Sequence, residues 1–83
     1  MSPKPELTDS QRAVYNAAWR SLAESPGPTT FSGDVARLAD LPDEQVRAAL
    51  VELVEMGLVD ADVRVFEGKV FRVEVREVRP ERS

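Results

Sequence analysis

Residues 50–76 of the chain read LVELVEMGLVDADVRVFEGKVFRVEVR, and the spacing of the apolar residues changes within them. Before Gly57 the apolar side chains recur every three to four residues, which is the period of an α-helix. After Val59 they alternate with charged residues, which is the period of a β-strand. Glu67-Gly68 interrupts this alternation and marks a turn. The pattern therefore predicts a helix that ends at Gly57, followed by an antiparallel hairpin.

The register of this hairpin depends on the length of its loop. A two-residue loop would set Arg64 opposite Phe71 and mix charged and apolar side chains on one face. A three-residue loop, Glu67-Gly68-Lys69, pairs Val65 with Phe71 and Val63 with Val73. Because a slip of one residue turns every side chain to the other face, the pattern favours the three-residue loop.

A first helix is predicted to begin after Thr8. The Thr8 side chain can accept a hydrogen bond from a backbone N–H, and Gln11 three residues later completes a capping box. Ser25-Pro26-Gly27-Pro28 ends the helix, because proline cannot continue the backbone hydrogen bonds. A small domain needs its large aromatic side chains inside, so we expect Tyr15 and Trp19 in the core. The predicted apolar stripe of this helix is Val14, Tyr15, Ala18, Trp19 and Leu22.

Three shorter elements are expected between this helix and the hairpin. Residues 29–31 are β-prone and predict a very short strand. Ser32 is the expected cap of a second helix of about two turns, with Val35 and Leu38 pointing inward. Pro42 suits the first position of a third helix. The apolar face of that helix is predicted to be Val46, Ala49, Leu50, Leu53, Val54 and Met56.

The composition limits the chemistry that the chain can perform. Its 83 residues, 42% of them hydrophobic, predict one α+β domain over residues 7–79, between flexible tails at 1–6 and 80–83. The chain has no cysteine and no histidine. This excludes disulfides, zinc sites built from Cys and His, and any imidazole base. The serines have no histidine to activate them, so we expect no enzyme, no metal and no cofactor.

The charge is unevenly distributed along the chain. The net charge is −4, and the deficit of basic residues lies in residues 1–58, while residues 59–83 are balanced. Non-specific attraction to nucleic acid is therefore not a property of the whole molecule. No apolar run approaches the roughly 18 residues of a membrane span, and the first residues do not resemble a signal peptide. We expect a soluble, cytoplasmic protein that does not enter membranes.

Several landmarks resemble the amino-terminal DNA-binding domain of the LexA repressors. They are Leu7-Thr8-x-x-Gln11-Arg12-x-Val14-Tyr15 and then Gly27-Pro28-Thr29. Leu50-x-x-Leu53-x-x-x-Gly57-Leu58-Val59 is also similar to the end of the recognition helix in winged-helix regulators generally. The resemblance covers roughly residues 7–73. It implies a winged helix-turn-helix with three helices, a short strand after the first and a two-stranded wing. The peptidase domain of those repressors has no counterpart here, so we expect no protease activity.

The resemblance also implies where DNA would bind. The third helix would enter the major groove, and the wing would lie over phosphates. The matching positions of the third helix are Glu44, Gln45, Arg47 and Ala48. An ion pair of Arg47 with Asp43 or Glu44 is the alternative for that arginine.

The wing offers a second group of candidate residues. The favoured register places Arg64, Phe66, Val70 and Arg72 together on its outer face, with Lys69 at the tip. Basic side chains around apolar ones suit a contact with phosphates and sugars, or a hydrophobic contact with a protein. The alternative for Phe66 is that it folds back over the core.

Two functions of different classes follow from these patterns. The first is sequence-directed binding of double-stranded DNA by a small transcriptional regulator, acting as a homodimer. The dimer would form through the apolar side of the first helix or through an unpaired strand edge beyond Val75. The second is a winged-helix module that binds a partner protein through its acidic third helix and a patch of Phe66 and Val70.

Overall fold

The computed structural model describes residues 7–81, which form three helices and one antiparallel sheet. In chain order the elements are α1 (Asp9–Glu24), β1 (Thr30–Phe31), α2 (Ser32–Ala39), α3 (Asp43–Glu55), β2 (Val59–Phe66) and β3 (Lys69–Val78). The strands lie in the order β1-β3-β2, so β3 is the central strand. The prediction of an α+β chain with a short strand after the first helix and a hairpin after the third is confirmed.

The ends of α1 are set by local sequence, as predicted. Thr8 Oγ1 accepts a hydrogen bond from Gln11 N at 3.1 Å, and Gln11 Oε1 accepts one from Thr8 N at 2.9 Å. The capping box is therefore complete. At the other end Ser25 is extended, with φ −69° and ψ 139°. This is the conformation that a following proline imposes.

The second helix differs from the prediction at Ser32 and Leu38, whereas Val35 is buried as predicted. Ser32 is not its cap but its first residue, and the buried Ser32 Oγ accepts a hydrogen bond from Val73 N at 3.4 Å. This hydroxyl therefore joins α2 to β3. Leu38 was expected inside but is 40% exposed. Val35 and Ala36 form the buried face, and at 100° per residue Leu38 lies on the side of Val35 away from Ala36.

The third helix runs from Asp43 to Glu55, so Pro42 is its N-cap residue and not its first residue as predicted. Gly57 follows its end with φ 79°, a conformation that favours glycine, and Gly57 N donates to Val54 O at 3.0 Å. The predicted glycine stop is confirmed. Met56 was expected on the apolar face, but it lies beyond the last helical residue and is exposed.

The turn of the hairpin has two residues, so the prediction of a three-residue loop is wrong. Glu67 and Gly68 have φ values of 51° and 78°, and Phe66 pairs with Lys69 across them. Two consecutive positive φ values are typical of the tight turn whose twist matches that of the flanking strands. The twist of the strands therefore favours this turn over the loop that the alternation indicated.

A bulge then restores the register that the alternation required. Val65 pairs with Val70, but Arg64 pairs with Arg72, so Phe71 has no partner on β2. The predicted pairing of Val65 with Phe71 is wrong, whereas the pairing of Val63 with Val73 is confirmed. An extra residue in one strand shifts the register by one position, which is how a two-residue turn remains compatible with an apolar inner face.

The far end of the hairpin leaves no overhang. Val59 pairs with Val78, the last residue of β3. The expectation that β3 extends past its partner beyond Val75 is therefore wrong. A second register shift, between Asp60 and Ala61, leaves Arg76 of β3 without a partner on β2.

The core lies between the helices and the inner face of the sheet. Tyr15 is buried as predicted, whereas Trp19 is 45% exposed. The buried face of α1 centres on Val14 and Ala18, and Trp19 lies at its edge, with its ring centroid 6.2 Å from that of Tyr15. The buried apolar residues are Val14, Tyr15, Ala17, Ala18, Val35, Ala36, Val46, Ala49, Leu50, Leu53, Val59, Val73 and Val75.

The segment after β3 returns to α1. The Tyr15 hydroxyl donates to Arg79 O at 2.5 Å, and burial raises the pKa of this hydroxyl above its usual 10.0. Arg12 Nη1 lies 2.6 Å from Glu81 Oε1. The predicted tail at residues 1–6 lies outside the described residues, and so do the last two residues, 82–83, of the predicted tail at 80–83.

Candidate functional site

A groove of about 440 Å³ lies between the beginning of α3 and the tip of the hairpin. Glu44 and Arg47 line it from α3, and Lys69 and Val70 line it from β3. The third helix and the hairpin, which the resemblance implies would contact DNA, thus meet at one place. Three residues of the predicted site, Glu44, Arg47 and Lys69, face this groove together.

The arginines elsewhere on the surface are mostly neutralised by carboxylates. Within residues 7–81, ion pairs join Arg12 to Glu81, Arg20 to Glu24, Arg37 to Asp34, Arg64 to Asp62, Arg76 to Asp60 and Arg79 to Glu77. Three basic side chains in that part of the chain have no carboxylate oxygen within 4.0 Å: Arg47, Lys69 and Arg72. The predicted alternative for Arg47, an ion pair with Asp43 or Glu44, does not form. Two of the three unpaired cations therefore line the same groove.

The polar residues of α3 point to two different sides. Gln45 Nε2 donates to Ser10 Oγ at 2.9 Å, and Glu52 Oε1 accepts from Gln11 Nε2 at 2.9 Å. Gln45 and Glu52 are seven residues apart, so they share the side of α3 that faces α1. Ala48 is exposed, and Arg47 lies half-buried on the flank towards the hairpin. Of the four predicted helix residues, Gln45 alone already has a partner on another helix among residues 7–81.

The predicted wing residues are divided between two surfaces. Arg64 and Arg72 face each other across the hairpin. Arg64 Nε lies 3.0 Å from Asp62 Oδ2, and the Arg72 guanidinium lies 5.4 Å from the centre of the Phe31 ring. Both arginines are exposed on the outer face of the sheet. Val70 was expected beside them, but it is partly buried, packs against the core and lines the groove.

The hairpin tip carries apolar side chains that nothing in residues 7–81 covers. Phe66 is 66% exposed, so it does not fold back over the core. Val65 is 58% exposed and Phe71 53% exposed, although both were expected on the inner face. Phe71 is the extra residue of the bulge, whereas Val65 lies directly opposite the partly buried Val70. An Xaa-Gly pair between two alternating runs is the signal that indicates a two-residue turn.

A second cavity, of about 300 Å³, lies where the end of α1 meets β1 and α2. Its buried hydroxyls, Ser21 and Thr30, are hydrogen-bonded to each other. Its arginine, Arg37, is paired with Asp34, which also lines the cavity. Glu24 and Ser25, which also line the cavity, are bonded to Arg20 and to Thr29 O, so its polar side chains already have partners.

Over residues 7–81, no three side chains of the metal-binding types come together. None of the helices described there is long and apolar enough to cross a membrane.

Comparisons of this chain with protein-family models, with curated proteins and with solved structures found no match. The resemblance to the LexA repressors therefore rests on the quoted sequence landmarks.

Proposed function

We propose that this chain is a winged helix-turn-helix domain that binds double-stranded DNA as a small transcriptional regulator, without catalytic activity. In this proposal α3 enters the major groove and the β2–β3 hairpin is the wing. The order of the elements supports it, because a helix, a short strand, two helices and a hairpin follow one another as the proposed fold requires.

The observation that carries the proposal is the pair of unpaired cations, Arg47 and Lys69, in the groove between α3 and the hairpin. A protein binds DNA largely by neutralising phosphates with basic side chains. Arginines already paired with carboxylates contribute less, because binding a phosphate means giving up the existing partner. The net charge of −4 is compatible with this interface, since a local pair of cations can act on an acidic domain.

Each groove residue has a role in the proposed complex. Arg47 would donate to guanine or to a phosphate, and Lys69 would contact a phosphate at the edge of the groove. Glu44 would accept from cytosine N4, and Ala48 would contact a thymine methyl group. Gln45 would pair with adenine through Oε1 and Nε2, although Nε2 already donates one hydrogen bond to Ser10 Oγ. Arg64, Phe66 and Arg72 remain proposed wing contacts, on surfaces next to the groove.

One observation favours a second function, the binding of a partner protein. Val65, Phe66 and Phe71 expose more than half of their surface around one turn. Aromatic side chains that enter a pocket of a partner carry much of the energy of protein interfaces. The binding surface for a partner protein would then be the exposed Val65, Phe66 and Phe71 at the hairpin tip, and the cations of the groove would take no part in it.

The dependence of binding on salt tests the proposed function. A labelled duplex of random sequence is titrated with the protein at about 50 mM salt and then at rising salt, with fluorescence anisotropy as the readout. We expect binding that weakens steeply, with a slope of about −0.9 in log K against log salt for each phosphate neutralised. A protein that leaves the duplex unbound at about 50 mM salt and tens of micromolar concentration would favour the partner-protein function instead.

A further inference from the structure

The outer face of the hairpin places like charges directly opposite each other. Asp62 of β2 pairs with Glu74 of β3, and Arg64 pairs with Arg72. The face thus carries a row of two acids beside a row of two arginines. Like charges directly opposite each other destabilise a sheet, so this arrangement requires compensation.

The compensation within one copy comes from neighbours along and beside the strands. Asp62 and Arg64 form an ion pair along β2. Glu74 Oε2 accepts a hydrogen bond from Thr29 Oγ1 at 2.8 Å, and Arg72 lies over the Phe31 ring. Glu74 and Arg72 therefore have partners on the β1 side. Asp62 and Arg64, by contrast, lie on the strand at the opposite edge of the sheet.

This edge strand, β2, is open and regular. It is the last strand in the order β1-β3-β2, and among the described residues it contacts β3 and α3 and no other element. Both bulges of the hairpin insert their extra residue, Phe71 or Arg76, into β3. Within residues 7–81, the eight residues of β2 therefore present an uninterrupted edge with unpaired backbone groups, which is a template for another strand.

We propose that two copies of this chain associate through β2, antiparallel, with Val63 on the two-fold axis. Asp62 then lies opposite Arg64 of the second copy, and Arg64 lies opposite its Asp62. The row formed by Glu74 and Asp62 of one copy then continues across the interface into Arg64 and Arg72 of the other copy. The two three-stranded sheets become one sheet of six strands. An interface of this kind is self-complementary, as two-fold symmetry requires.

The charges select this register over its neighbours. A two-fold axis on Arg64 would set Arg64 of one copy opposite Arg64 of the other. An axis on Asp62 would likewise set the two Asp62 carboxylates opposite each other. An axis between two residues would pair inner positions with outer ones and place the helices of the two copies on opposite faces. The axis on Val63 keeps both sets of helices on one face and makes both charged pairs attractive. It replaces the strand overhang beyond Val75 as the predicted route to a dimer.

Charge reversal tests this interface. Asp62→Arg and Arg64→Asp each turn both attractive contacts of the homodimer into repulsive ones. We expect each variant to raise the dimer dissociation constant at least about tenfold, measured by sedimentation equilibrium. An equimolar mixture of the two variants restores complementary contacts, so the mixture should dimerise about as tightly as the original chain. The double variant that exchanges the two charges within one chain should also dimerise.

A matched control separates this surface from the others. Arg20→Asp makes the same change of charge on α1, where Arg20 pairs with the exposed Glu24, and it should leave the dissociation constant unchanged. Circular dichroism of every variant establishes that the fold persists. A monomer at all concentrations up to about 1 mM would overturn the proposal. Dimerisation that the reversals leave unaffected, or that mixing does not restore, would also overturn it.

Discussion

Replacing Arg47 and Lys69 together by alanine is expected to weaken the binding of duplex DNA by about a hundredfold. A base-reading arginine is worth about 1–3 kcal/mol, and a phosphate-binding lysine adds to this. Arg47→Ala alone should also relax discrimination at one base pair, whereas Lys69→Ala should weaken binding to all sequences about equally. The salt slope should become flatter by roughly one for each phosphate contact that is lost. Anisotropy titrations of the single and double variants measure both quantities.

The control for this pair is Arg20→Ala with Arg37→Ala, which removes two positive charges from α1 and α2. Both of these arginines are already paired with carboxylates. We expect the control to change affinity less than about threefold, because only the long-range field of the molecule changes. If the control weakened binding as strongly as the double variant, the groove would have no special role and net charge alone would account for binding.

Leu50→Ala is expected to lower the free energy of unfolding by about 2–5 kcal/mol. Leu50 is fully buried on α3, about one helical turn after Arg47, which lines the groove. The truncation leaves a cavity that a domain of this size cannot easily fill. Urea denaturation followed by circular dichroism measures the change. Leu50→Met keeps the volume and should cost less than about 1.5 kcal/mol, and equal losses for the two variants would contradict the assigned core position.

Features that depend on neighbouring residues could be predicted from the sequence. The capping box of Thr8 and Gln11 and the glycine stop at Gly57 are confirmed, because each is determined within one turn of backbone. The change of hydrophobic period predicted the hairpin. Its loop was predicted wrongly, because alternation alone cannot show that a bulge at Phe71 corrects the register of a two-residue turn.

Burial was harder to predict than the elements themselves. Trp19 and Leu38 occur at helical spacing, but each lies at the side of a stripe whose centre is made by smaller residues. Which side of a helix faces the core depends on how the helices pack. The spacing of apolar residues alone leaves the rotation of the helix about its axis uncertain by about 100°, the angle between successive residues.

The groove could be predicted only in part. The resemblance indicated α3 and the hairpin, but Arg47 and Lys69 are 22 positions apart and their convergence depends on packing. Likewise, the sequence does not show that Arg64 pairs with Asp62 while Arg47 remains unpaired. The exposure of Phe71 was missed for the same reason as the bulge.

Mapping the backbone amides of the ¹⁵N-labelled protein by NMR, during titration with a short DNA duplex, tests the proposed interface most directly. We expect the largest shifts in residues 43–48 of α3 and 68–71 of the hairpin, the two segments that line the groove. The amides of residues 34–38 in α2, next to the paired Arg37, should change little. Shifts confined to residues outside α3 and the hairpin, or no shifts at saturating duplex, would contradict the binding of DNA at this groove.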